Sequence, residues 1–124
     1  RQRQMCIRDS SEAEKYIGYP YVWGGSSPAT SFDCSGYVSW VINHSGWNVG
    51  RLGAQGLYNI CTPTSNPQPG DLVFFKGTYD TPGVSHCGIY VGDNKMLHCG
   101  DPIGYANLNT SYWQSHFYAY GRLP

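Results

Sequence analysis

His86-Cys87-Gly88-Ile89-Tyr90-Val91 and Lys95-Met96-Leu97-His98, separated by Gly92-Asp93-Asn94, form the stretch from which the architecture can be read. The two apolar-rich runs have strand length, and the three residues between them are a hairpin signature. Upstream, Pro69-Gly70-Asp71 is a turn signal before a further strand, Leu72-Val73-Phe74-Phe75. Downstream, Asp101 to Ser115 reads as irregular, and Phe117 to Leu123 alternates like a last strand.

The first half of the chain has a different texture. Ser11-Glu12-Ala13-Glu14 has the spacing of a capping box and opens a short helix that Gly18 can end. Tyr19-Pro20-Tyr21-Val22-Trp23 is extended, because Pro20 keeps Tyr19 out of helical space, and Gly24 to Ser31 is a loop. Asp33 caps the next helix, whose Tyr37, Val38, Trp40, Val41 and Ile42 cover a broad apolar face suited to burial against a sheet. Gly46 supplies its left-handed stop. Arg51 to Ile60 forms a second short helix, and Thr62 to Gly70 is a proline-rich connector. Helices followed by an antiparallel meander give an α+β domain.

With 124 residues, 40% of them apolar, the chain is long enough for one domain with a sizeable core. Zero formal net charge and the lack of a basic patch argue against nucleic acid as a partner. No apolar run approaches the roughly 20 residues of a membrane span. The N-terminus has no apolar signal core, so the chain is expected to be cytoplasmic or one domain of a longer exported protein. Residues 1–10 lack periodicity and read as disordered or a cloning remnant. The five cysteines, Cys6, Cys34, Cys61, Cys87 and Cys99, are an odd set without close CxxC pairs. Free buried thiols are therefore preferred over a disulfide framework, with Cys87 and Cys99 as the pair placed to bridge as strand neighbours.

Cys34 stands one residue past the cap, in the first helical turn. Unpaired N–H groups and the helix dipole there favour thiolate over thiol, and the same N–H groups can receive an oxyanion. Position alone allows equally a structural cysteine facing the core. His86 and His98 change that balance. A hairpin centred near Gly92 sets them opposite each other on one sheet face, so that one can orient the other as a general base. A helix packed on that face then brings Cys34 to His86. The expected chemistry is that of a cysteine peptidase, with no cofactor.

Tyr21 offers a phenolic donor for the attacked carbonyl, or ordinary ring packing. Asp33 and Ser35 flank the nucleophile and suit a substrate ammonium, or helix capping, which needs only one of them. Arg51 and Gln55 read as solvated surface, and His44 and His116 as surface or packing residues. A zinc site is disfavoured because His86 and Cys87, adjacent in a strand, point to opposite faces.

Tyr21-Val22-Trp23-Gly24-Gly25, Asp33-Cys34-Ser35-Gly36, Pro69-Gly70-Asp71-Leu72-Val73-Phe74-Phe75, Ser85-His86-Cys87-Gly88-Ile89-Tyr90-Val91-Gly92 and Met96-Leu97-His98 resemble, in order, the motifs of the NlpC-type (NlpC/P60) cell-wall cysteine peptidases. The resemblance covers about residues 11 to 123, within a domain of residues 11–124. It implies a papain-like core with helices on a central antiparallel β-sheet, and cleavage of peptidoglycan stem peptides or muropeptides between D-γ-glutamate and the following diamino acid. It further implies Cys34 as nucleophile, His86 as base then acid, and His98 as the orienting residue. Tyr21 matches the tyrosine beside the nucleophile, and Asp33 and Ser35 match the pair framing the acyl-side peptide. A monomer is expected, acting outside the cell or in the wall as a domain of a longer exported protein, with recycling in the cytoplasm as the other setting. Cys87 and Cys99 depart from the small residues usual at their positions and are expected to face away from the site.

Three other readings use the same residues. One is an N-acetylmuramoyl-L-alanine amidase of the Cys-His type. Another is a catalytically silent wall-binding module, suggested by the 11 tyrosines and 4 tryptophans. The third is a redox or metal protein built on Cys87 and Cys99.

Overall fold

The computed structural model describes residues 14–45, 49–78, 83–100 and 103–123. Among these, β1 (Ser26–Ser27) and β2 (Ser31–Phe32) form a small hairpin ahead of helix α1 (Cys34–Asn43) and helix α2 (Ala54–Ile60). There follow β3 (Thr62–Thr64), β4 (Leu72–Lys76), β5 (Val84–Gly92), β6 (Lys95–Cys99) and β7 (Ile103–Asn107), then α3 (Ser111–His116) and β8 (Phe117–Arg122). Six strands make one antiparallel sheet in the order β3-β8-β4-β5-β6-β7. The expected α+β class, helices on an antiparallel sheet, is what the chain adopts.

Helix α1 starts where its cap dictates. Asp33 has extended backbone, and its Oδ1 accepts the Gly36 N–H at 2.7 Å, satisfying a donor that the first turn leaves orphaned. The helix ends at Asn43 with His44 as its C-cap, whose N–H reaches the carbonyls of Trp40 and Val41. Gly46, Ser11 to Ala13 and residues 1–10 lie outside the described residues.

Tyr37, Val38, Val41 and Ile42 are fully buried, each contributing roughly 1.5–3 kcal/mol by leaving water. They join Phe74, Cys87, Ile89, Leu97 and Cys99, which form one face of the sheet. The opposite face carries Val73, Phe75, Tyr90 and Met96, against which Trp113 of α3 packs. Alternation along β4, β5 and β6 sorts side chains between these two layers.

The β5–β6 turn is tight because Asp93 and Asn94 both take positive φ, at 54° and 56°, the geometry of a type I′ hairpin. At the start of β4, fully buried Asp71 accepts the Gln68 N–H at 2.8 Å and two Arg122 donors at 2.9 and 3.2 Å, tying β4 to β8.

Four expectations need correction. The loop from Gly24 to Ser31 contains β1 and the start of β2. The connector contains β3, in which Pro63 is tolerated because the strand lies at a sheet edge. The second helix begins at Ala54, after Gly53, rather than at Arg51. Within the segment read as irregular, Ile103–Asn107 pairs with β6 and Ser111–His116 is helical. These elements are short, and their pairing partners rather than their own periodicity decide them.

Candidate active site

The first turn of α1 meets β5 where β5 has lost its neighbour. The β5–β6 ladder runs from Gly92↔Lys95 to Ile89↔Leu97, and β4 alone continues along β5 to Val84. Into that gap the Cys34 sulfur projects, 3.8 Å from the Ser85 carbonyl oxygen, while the Cys87 sulfur lies 3.8 Å from the Cys34 carbonyl oxygen. Only 7% of Cys34 remains exposed.

The Cys34 thiol is lowered to about 5. The largest cause is a hydrogen bond with the Cys87 thiol. Burial works against it, and a hydrogen bond and the charge of His86 act in its favour, while the Asp33 carboxylate opposes. The two thiols share one proton, and it stays on Cys87, which is fully buried and pushed well above its ordinary value by its bond to Cys34. Cys34 carries the charge because the imidazole and the helix N-terminus face it.

Nε2 of His86 lies 2.9 Å from Nδ1 of His98, with the rings at 84°. Burial, then the charge of His86, pushes His98 down to about 3, so His98 is neutral. A protonated His86 donates from Nε2, which makes Nδ1 of His98 the acceptor and leaves the other His86 nitrogen for the sulfur.

The two histidines share a sheet face as expected, but they are not opposite each other. The register Ile89↔Leu97, continued, places Gly88 across from His98, with His86 on the diagonal. Glycine is required there, because a Cβ at Gly88 would lie 2.7 Å from Met96 Sδ and 3.0 Å from His98 Cβ. Nor does α1 pack on the histidine face. It covers the Cys87 face, and Cys34 reaches His86 at the open strand edge.

That geometry overturns the expectation that Cys87 faces away. It does point opposite to His86, but the opposite side is the one α1 covers, so its thiol meets Cys34. Cys99 points the same way and donates to the Phe32 carbonyl at 3.1 Å. All four described cysteines are free, so Cys87 and Cys99 are unbridged.

Arg51 is likewise not simply solvated. Its guanidinium holds both Asp33 oxygens at 2.9 and 3.1 Å and donates to Ser35 Oγ at 3.0 Å. Asp33 thus caps the helix, accepts the Gly24 N–H at 3.0 Å and pairs with Arg51, while buried Ser35 leans on the same cation. Gln55 joins α2 to the start of β5, accepting the Val84 N–H at 2.9 Å. Half-buried Tyr21 bridges Phe32 in parallel, two residues from Cys34, and the neighbouring Trp23 is 71% exposed. His44 stacks on Trp40, and His116 contacts the Lys76 carbonyl, both as packing residues.

Trp113 is the site residue that sequence reasoning missed. Its ring stacks on His86 at 5.4 Å and 23° and meets His98 edge-on at 5.3 Å. It covers the imidazole pair on the side away from α1. The only sequence trace of its helix is Tyr112 and His116 at four-residue spacing, whose rings lie 4.6 Å apart.

A model of the NlpC/P60 family matches residues 18–122. Over 115 residues the chain is 44% identical to the bifunctional muramidase/DL-endopeptidase CwlT of Bacillus subtilis, covering 90% of this chain and 35% of CwlT. It is 41% identical over 109 residues to a gamma-DL-glutamyl hydrolase of the same organism, covering 84% of this chain and 26% of that protein. The chain therefore spans about a third or less of these relatives. Among solved structures, an NLP/P60-family protein similar to lipoprotein from Staphylococcus aureus superposes with a TM-score of 0.91 at 43% identity, covering 96% of this chain and 41% of that one.

Proposed function

The chain belongs to the NlpC/P60 family, and on that footing we propose that it is a cysteine endopeptidase hydrolysing the D-γ-glutamyl–diamino acid bond of peptidoglycan stem peptides. The observation that carries this reading is the Cys34 sulfur at a helix N-terminus, hydrogen-bonded to an imidazole that a neutral second imidazole holds at 2.9 Å. The names of relatives, one a DL-endopeptidase and one a gamma-DL-glutamyl hydrolase, support the bond chosen.

In this mechanism the Cys34 thiolate attacks the γ-glutamyl carbonyl, and first-turn N–H groups with Tyr21 receive the oxyanion. His86 gives its proton to the leaving amine, then takes one from the water that frees the acyl-enzyme, and His98 keeps its ring aimed. Asp33 and Ser35, braced by Arg51, frame the peptide on the acyl side. In this reading a monomer works on the wall as a domain of a longer exported protein. Among the described residues no helix is long and apolar enough to cross a membrane.

Digestion of purified muropeptides, read by mass spectrometry, tests the bond. Products ending in γ-D-glutamate with a free diamino-acid amine are expected. A free L-alanine amine beside an intact lactyl group would instead make the protein an amidase, and no product at all would leave a binding module.

The pH profile tests the thiolate. Cys34 loses its proton as pH rises, so kcat/KM is expected to climb through about pH 5 and reach its plateau below neutrality. An acid limb in the range of an ordinary thiol, roughly 8 to 9, would show that Cys34 is not ionised before substrate binds.

A further inference from the structure

Cys87 is a nucleophilic group that the proposed hydrolysis does not consume. Fully buried on β5, it has its sulfur 3.8 Å from the Cys34 carbonyl oxygen and its thiol hydrogen-bonded to the Cys34 side chain. Both residues sit on regular elements, the first turn of α1 and the middle of β5. The other described cysteines are occupied elsewhere: Cys99 on the Phe32 carbonyl, and Cys61 packed against Gly121 on the β8 side. An ionised sulfur is the preferred target of peroxides, and a neighbouring thiol decides whether the product can be repaired.

We propose that Cys34 and Cys87 are a reversible oxidation site, in which a hydroperoxide oxidises Cys34 and Cys87 resolves the product as a disulfide. In the first step the Cys34 thiolate attacks the peroxide. An S–O bond forms, the O–O bond breaks, and the departing oxygen takes a proton to leave as water or an alcohol. Sulfur is oxidised by two electrons and the peroxide is reduced. In the second step the Cys87 sulfur attacks Cys34, the S–S bond forms, and the hydroxide expelled from Cys34 leaves as water with the Cys87 proton. A dithiol reverses this, restoring both thiols as it is oxidised itself.

The pairing also times the second step. While Cys34 is ionised, its hydrogen bond and charge add to burial in holding the proton on Cys87. Once Cys34 is a neutral sulfenic acid its charge no longer opposes ionisation of Cys87, although burial still does, so Cys87 gives up its proton more readily when it is needed. Disulfide formation stops at a state that reductant reverses, whereas an unresolved sulfenic acid proceeds to irreversible sulfinic acid.

The experiment treats the full chain with hydrogen peroxide, then with dithiothreitol, and follows intact mass, a non-reducing peptide map and muropeptide cleavage. The wild type is expected to lose two hydrogens, to show Cys34 and Cys87 peptides joined, and to recover its activity with reductant. Cys87→Val and Cys87→Ala are expected to gain oxygens on Cys34 and recover roughly tenfold less of their own starting activity. Irreversible oxygenation of Cys34 in the wild type, or a cross-link to Cys61 or Cys99 instead, overturns the proposal. The wild-type map decides even if both variants fail to fold. A protein that forms this bridge but never cleaves muropeptide would sink the peptidase reading and leave this one standing.

Discussion

Cys34→Ala is expected to lower kcat/KM for muropeptide cleavage by about 10⁴- to 10⁶-fold, the scale at which a nucleophile is lost while binding and oxyanion groups remain. Among the described residues no neighbouring side chain substitutes for it. Cys87 is fully buried and points to the sheet face opposite His86, and Ser35 is committed to the Arg51 guanidinium. His86→Ala should cost nearly as much, and the double variant little more, because the thiolate and imidazole act as a unit. Substrate cleavage measured beside thermal unfolding separates chemistry from folding. A Cys34→Ala protein that melts near the wild type yet keeps more than about one part in a hundred of its activity contradicts the assignment of the nucleophile.

Gly36→Ala should be among the most destabilising single substitutions in the chain, although it adds only a methyl group. Its Cβ would run into the Gly25 carbonyl oxygen and sit 2.9 Å from Asp33 Oδ1. Neither neighbour can yield cheaply. The Gly25 carbonyl accepts the Asp33 N–H at 3.0 Å, and Asp33 is held by the Gly36 and Gly24 N–H groups and by Arg51. Overpacking against backbone on one side and a bound carboxylate on the other costs about 3 kcal/mol or more, which in a domain of this size lowers the melting temperature by roughly 10–20 °C. Activity of the folded fraction should fall as well, since the displaced cap carries Cys34 with it. Gly104→Ala is the matched control, because no described residue lies within 4 Å of its added methyl. Equal melting temperatures for the two variants would refute the close approach of the 21–25 segment to α1.

Much of this arrangement is legible before folding. Asp33 announces the start of α1, and the broad apolar face of Tyr37, Val38, Val41 and Ile42 announces its burial. Gly92-Asp93-Asn94 marks the hairpin, and Leu72 to Phe75 reads correctly as a strand. The family motifs follow in order along the chain and select Cys34, His86 and His98, which the fold brings together. The residues misread are those whose surroundings come from far along the chain. Arg51 looks like surface until Asp33, 18 residues away, meets it. Trp113 has no visible role until β4, β5 and β6 present Phe75, His86 and His98 to one ring.

What the amino-acid order determines alone is local: caps, turn residues and the two-residue alternation that puts both histidines on one sheet face and Cys87 on the other. Those follow from bonds and sterics within a few residues. Tertiary structure decided which face α1 covers, that Gly88 rather than His86 stands across from His98, and that the Cys87 thiol lies against Cys34. Strand register and layer packing are set by burial summed over the whole sheet, and a period of two names the faces without saying which one a helix will choose.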